Sequence, residues 1–271
     1  MDSDGNEVVI DLSPVIRVYK DGRVERIFRS PHVPPSPVDS ATGVSSKDIN
    51  ISSNLQARIY LPSNITANNN QKLPILVYYH GGGFCVGSTF SFLSERYLNL
   101  LTSASNVITL SVEYPLAPEH HLSVIYDDSW TALQWVADHV HENPETEKEP
   151  WKFRENLRRW RQCRRGDSLL SKIWVFVNPL AENGVDDPKI NPLVEKAPRL
   201  AELGCLKMLV CVAEKDELRN LGISYAKAVE KSGKLVEVVD VEGEGHCFQI
   251  LNPEGDSGKD LINRIANFIK Q

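Results

Sequence analysis

Apolar residues recur along this chain with two periods, and the switches between them mark out its elements. The stretch "LQARIYLP" (55–62) alternates apolar and polar positions, as a strand with one buried face does, and "SSKDINIS" (45–52) reads as a strand beside it. "PILVYYHGG" (74–82) and "NVITLSVEYPLAP" (106–118) are instead continuous apolar runs that end in glycine or proline. Runs of that kind predict strands buried on both faces, the habit of parallel sheets. Between them "FLSERYLNLLTSAS" (92–105) has helical spacing. After them "IYDDSWTALQWVADHV" (125–140) predicts a helix with Asp128 or Ser129 capping its start and Trp130, Leu133, Trp135 and Val136 as apolar bulk.

The pattern breaks after "HENPETEKEP" (141–150) and resumes as strand, helix, strand, helix: "CLKMLVCVAEKD" (205–216), "LGISYAKAVEKSG" (221–233), "LVEVVDVEGEGHCF" (235–248) and "GKDLINRIANFIK" (258–270). Strands alternating with helices predict an α/β fold, a mostly parallel sheet with helices on both faces. Residues 31–39 form a proline-rich connector and 65–74 a turn-rich loop. Residues 1–40 are therefore read as an N-terminal cap and connector ahead of a single domain that fills the rest of 1–271.

Composition narrows the class. Of 271 residues, 41% are hydrophobic and 24% charged, the balance of an ordinary globular protein. A net charge of -6 argues against a nucleic-acid partner. No apolar run approaches a membrane span, and the first residues lack the basic and apolar blocks of a secretory signal. The five cysteines, Cys85, Cys163, Cys205, Cys211 and Cys247, show no metal-ligand spacing and fit a reducing compartment. The expected location is the cytosol, with the nucleus as a second compartment; no metal is expected, and nothing specifies an oligomeric state.

Three motifs carry chemistry. His80, Gly81, Gly82 and Gly83, followed by Phe84, come straight after an apolar strand. Consecutive glycines let backbone N–H groups crowd a ligand oxygen, the need of an oxyanion hole. Asp216 follows a later strand and His246 the strand after that. Acid before histidine, each on a strand-end loop, is the order in which an α/β-hydrolase presents the partners of its serine.

With those residues in place the chain resembles the plant carboxylesterases of the hormone-sensitive-lipase-like α/β-hydrolase group, which also holds 2-hydroxyisoflavanone dehydratases and gibberellin receptors. The matching stretches include "YKDGRVERI", "ARIYLP", "LPILVYYHGGGFCVGS", "YDDSWTALQWV", "DDPKINP", "LGCLKMLVCVAEKDELR" and "VEGEGHCFQILNP". The resemblance implies an esterase fold, His80–Gly83 at the oxyanion site, Asp216 as triad acid and His246 as triad base. The implied substrate is a small-molecule ester, with no metal or organic cofactor. A dehydratase on the same scaffold and a non-catalytic, gibberellin-receptor-like binder are the alternatives; His246, which the receptors replace, favours an enzyme. In "EYPLAPE" the chain has Pro115 where the group usually has arginine.

The group also requires a Gly-x-Ser-x-Gly elbow before "DDPKINP", and none exists. Ser168 in "GDSLL" lacks the second glycine, replaced by Leu170, and follows six arginines between residues 154 and 165 rather than an apolar strand. Ser168 is read as the start of a helical lid segment, "DSLLSKIWVFVNP", and the nucleophile as unknown. Trp160–Arg164 can be encoded by TGG AGA CAG TGC CGG, whose frame shifted by one base reads Gly-Asp-Ser-Ala-Gly, the missing elbow. Residues 153–165 are accordingly expected to be an out-of-frame stretch from a mis-spliced message or a mis-drawn gene boundary, with central strands of the sheet lost. Such a chain should be poorly stable, with ester turnover impaired or absent. Sequencing the transcript under residues 150–170 checks this: the coding strand beneath Trp160–Arg164 should yield Gly-Asp-Ser-Ala-Gly in the shifted frame, and one that cannot defeats the idea.

Overall fold

Three short strands precede the proline-rich connector: β1 (Val8–Leu12), β2 (Ile16–Tyr19) and β3 (Val24–Arg26), paired antiparallel in that order. They belong to a computed structural model that describes residues 6–63, 73–140, 169–181 and 183–271. The apolar pattern above assigns no strand there. The local signal is Asp21-Gly22 between the alternating runs "IRVY" and "RVERI", with Gly22 at φ 85° closing a turn onto Tyr19. The connector then runs extended beside the next helix through a bridge between His32 and Ser91.

Two compact units divide the chain: Met1–Leu133 with Lys172–Pro179, and Gln134–Ser171 with Leu180–Gln271. In the first, β4 (Ser45–Asn50), β5 (Gln56–Leu61), β6 (Ile75–Tyr79) and β7 (Ile108–Glu113) form one sheet in the order β4-β5-β7-β6. β4 and β5 pair antiparallel, β5 and β7 antiparallel, and β6 and β7 parallel. Helix α1 (Phe92–Ser105) packs on β5 and β7. Ser91 caps it by accepting from the amide of Ser94, and Asn106 ends it in the left-handed region at φ 56°.

Two expectations change. β7 is buried along its middle, but β6 is not: Ile75 is 41% exposed and the rest of the strand only half-buried. Among the described residues β6 has β7 on one side and no strand on the other, so an apolar sequence suited to a sheet centre occupies an edge. Helix α2 (Leu122–Val140) begins upstream of its expected caps. Leu122, Ile125, Ser129 and Ala132 form its buried stripe, so Ser129 lies inside the helix and donates to the carbonyl of Ile125 at 2.7 Å. Asp128 lies in the helix interior for the same reason.

Helix α3 (Leu169–Val177) occupies the segment read as helical. In the second unit β8 (Lys207–Ala213) and β9 (Leu235–Val241) pair parallel, joined by α4 (Arg219–Lys231), which packs on both. After β9 come α5 (Phe248–Leu251) and the amphipathic α6 (Asp256–Lys270). Ala213, Val239, Phe248 and Leu261 make the core of this unit. β8 pairs with β9 alone among the described residues, and five of its seven positions are only half-buried. No described helix is long and apolar enough to cross a membrane.

The first unit holds one fully buried guanidinium. Arg58 on β5 forks onto Asp48 at 2.6 and 2.9 Å, donates to Glu95 at 2.8 Å and reaches the carbonyl of Val33 at 3.0 Å. The Tyr60 hydroxyl and the Ser46 hydroxyl complete the shell of Glu95. Sheet, helix α1 and connector thus share one charge cluster. Removing a single partner from such a cluster strands the others in low dielectric. Arg58→Met is therefore expected to lower the unfolding free energy by about 3–5 kcal/mol, measured by urea denaturation.

Candidate active site

The glycine stretch leaves the end of β6 as a sharp loop. Gly82 sits at φ 120°, and a Cβ there would lie 2.0 Å from the carbonyl oxygen of Val86, so no other residue fits. The amides of Cys85 and Val86 both donate to Gly82 O at 3.1 Å, closing the turn. Among the described residues no backbone carbonyl accepts from the amides of Gly81, Gly82 or Gly83. Phe84 follows in the left-handed region at φ 63°, and α3 brings Ile173 against Gly83.

His80 is buried, and its ring is neutral because burial pushes its pKa down to about 4. Since a carbonyl can only accept, Nδ1 carries the proton that it donates to Gly81 O at 2.8 Å. Nε2 is then an acceptor, buried, with no partner among the described residues. Tyr114, just past β7, stacks on the imidazole at 4.2 Å between centroids, and its hydroxyl donates to the carbonyl of His80. A Cβ at Gly87 would meet His80 Nδ1 at 2.7 Å, so a side chain there would crowd the ring.

In the other unit the loops after β8 and β9 are laced together. Lys215 N–H donates to Glu244 O, Gly243 N–H to the Glu214 carboxylate, and Lys215 Nζ to Gly243 O. That lacing sets Asp216 against His246: Asp216 Oδ2 accepts from His246 Nδ1 at 2.8 Å. The other oxygen, Oδ1, accepts from the backbone amide of Leu218 at 2.8 Å, which fixes the carboxylate's rotation. With Nδ1 bonded to Asp216, Nε2 is the ring nitrogen that the carboxylate leaves for other proton traffic. Cys247, the next residue, is in the left-handed region at φ 59° and starts α5. Its sulfur beside the ring, and then the Asp216 carboxylate, favour the protonated imidazole and push His246 up to about 9.

Residues 76–156 and 146–250 match the profile of a family described as having the α/β hydrolase fold. The 2-hydroxyisoflavanone dehydratase of Glycyrrhiza echinata is 44% identical over 318 aligned positions, covering 97% of this chain and 96% of that protein. Hydrolase 3 of Catharanthus roseus is 36% identical, covering 98% and 99%, and the Arabidopsis thaliana protein named "Probable carboxylesterase 13" is 34% identical, covering 98% of each. The chain belongs to the α/β-hydrolase fold family. Solved structures agree on the fold: an esterase of Pyrobaculum calidifontis superposes with TM-score 0.60 at 24% identity, over 83% of this chain and 84% of that one. Carboxyl esterase 2 of Tuber melanosporum gives 0.66 at 19% identity, over 86% and 89%.

This α/β hydrolase is truncated. Its alignment with the Glycyrrhiza protein is longer than the chain's own 271 residues, so at least 47 positions of that relative have no counterpart here. The family match breaks into two pieces that meet at 146–156. Ser168, the elbow codons under Trp160–Arg164 and the arginine-rich segment 153–165 lie outside the described residues. The strand-end positions of His80–Gly83, Asp216 and His246 follow from the sequence. Tyr114, the Leu218 amide and Cys247 as neighbours of the site do not, because no periodicity marks a loop residue that reaches back to its own backbone.

His246 should titrate near pH 9 in an NMR titration, with its midpoint falling toward the ordinary value of about 6.5 in Cys247→Ala and in Asp216→Asn. Because the folded value is raised, what this protonated pair adds to stability is complete below pH ~6.5 and disappears as pH climbs through about 9.

Proposed function

We propose that this chain carries the acid–base and oxyanion halves of a carboxylic-ester hydrolase whose nucleophile it lacks. The observation that supports this most is the 2.8 Å bond between Asp216 Oδ2 and His246 Nδ1, with the carboxylate pinned on its far side. In an intact enzyme of this design the imidazole takes the serine proton and returns it to the leaving alcohol, while Asp216 steadies the imidazolium. The amides of the Gly81–Gly83 loop would receive the oxyanion of each tetrahedral intermediate. The imidazole can accept a proton only in its neutral form, so with the serine restored turnover should rise with pH toward about 9.

A second reading is dehydration of a hydroxylated ketone such as 2-hydroxyisoflavanone, and the 44% identical Glycyrrhiza relative favours it. There the oxyanion amides polarise a carbonyl and His246 removes a proton from the adjacent carbon, so that hydroxide departs with a proton as water. No serine attack is needed for that step, and the missing elbow would weaken it less.

The two separate in one assay. Purified chain, given p-nitrophenyl esters and 2-hydroxyisoflavanone in parallel, is expected to show no ester turnover above buffer, since removing a triad nucleophile costs about 10⁶ in kcat. Restoring the absent segment from the Glycyrrhiza relative should recover turnover, and Ser168→Ala should change nothing. Ester hydrolysis by the chain itself, abolished by Ser168→Ala, would overturn the proposal; dehydration without ester hydrolysis would establish the second reading.

A further inference from the structure

One side chain of the N-terminal strands, Arg26, reaches the glycine loop. Arg26, at the end of β3, donates from Nε to the carbonyl of Cys85 at 2.8 Å and from Nη2 to the carbonyl of Ala117 at 3.1 Å. The same guanidinium forks onto Glu119, Nη1 to Oε1 at 2.9 Å and Nη2 to Oε2 at 2.6 Å. Cys85 is fully buried two residues after Gly83. Ala117 in turn donates its N–H to the carbonyl of Phe84 at 2.9 Å. Four donor–acceptor contacts from one planar group thus join three pieces of chain: the N-terminal strands, the loop after β6 and the loop after β7.

We propose that Arg26 is a positioning residue for the oxyanion loop, and that Glu119 orients it. The proposal rests on the hydrolase reading for what the loop does, and on the contacts above for how the loop is held. Glycine-rich backbone has no side chains of its own to lock it, so its amides point consistently only if neighbours hold the carbonyls of the residues that follow. Phe84 O and Cys85 O are those carbonyls, and each has its donor from outside the loop. A lone exposed Arg–Glu pair contributes little. This pair differs in that the carboxylate aims the fork, leaving Nε and one Nη2 hydrogen directed at carbonyls. Lysine could replace the charge but not that geometry, having one nitrogen where the site uses three.

Hydrogen exchange of the full-length chain tests this without any chemistry. Arg26→Met should speed amide exchange at Cys85, Val86 and Ala117 by about tenfold or more, while amides on β4 and β5 keep their wild-type rates. Arg26→Lys should recover part of that protection. The double swap Arg26→Glu with Glu119→Arg re-forms an ion pair but leaves Cys85 O and Ala117 O without their donor, so its loop amides should stay fast. Unchanged loop rates in Arg26→Met would overturn the proposal. So would equal acceleration on β4 and β5, which marks general destabilisation, or full protection in the swap, which marks a plain ion-pair anchor. Failure here leaves the ester assay's outcome intact, and failure there leaves the exchange pattern intact, so the two ideas fall separately.

Discussion

A strand in a parallel sheet is built to have neighbours on both sides, because its backbone donors and acceptors alternate between its two edges. This protein ends one parallel ladder on β6 and another on β8, each with a single partner among its described residues. Both strands carry the apolar sequence of a sheet interior, and both are half-exposed. At least 47 positions present in a 44% identical relative have no counterpart here. The exposed strand edges and the missing length point the same way, to a truncated fold. What remains is fold built for a larger sheet, and its open edges follow from that rather than from any weakness in the strands themselves.

The candidate site residues are each held by a local frame. The glycine loop is shaped by Gly82, where a side chain has no room, and by donors on Gly82 O, Phe84 O and Cys85 O. Asp216 and His246 are set by loops that bond to each other directly after β8 and β9. Neither frame draws a hydrogen bond from the absent length. A nucleophile elbow, by contrast, is a strained turn between a strand and a helix and exists only while both are packed. On the hydrolase reading, losing the centre of the sheet would take such an elbow with it while leaving Asp216 and His246 bonded to each other.

Much of this was legible in the residues. Continuous apolar runs located β6, β7 and β8, helical spacing located α1 and α4, and the sequence set the candidate glycines, carboxylate and imidazole just after strands, where the structure has them. The misses have physical causes. β1–β3 hang on an Asp-Gly turn between short runs, a signal easily outweighed by the proline-rich connector beside it. Helix α2 starts early because Leu122 and Ile125 extend its buried stripe, whereas capping residues alone point downstream to Asp128 and Ser129. The partnership of Arg26 with Cys85 O spans 59 residues, and a bond from a side chain to a backbone carbonyl leaves no trace in the identity of the acceptor. The half-exposure of β6 was invisible for the opposite reason: its sequence still describes the neighbour it has lost.

Neutral and charged imidazoles divide the labour in this chain. His80 is buried, stacked on Tyr114 and kept neutral, with its Nδ1 proton committed to Gly81 O. Its pKa of about 4 keeps it uncharged near neutral pH, and its Nδ1 proton is committed to backbone. His246 is more than half exposed, paired with a carboxylate and raised to about 9, so at neutral pH it holds a proton it can give up. Two histidines at the ends of two strands thus do opposite things because one was taken out of water without a charge partner and the other was left in water with one. On the hydrolase reading proposed above, that contrast favours His246 over His80 as the acid–base group, with a midpoint shifted to the alkaline side of the ordinary histidine value.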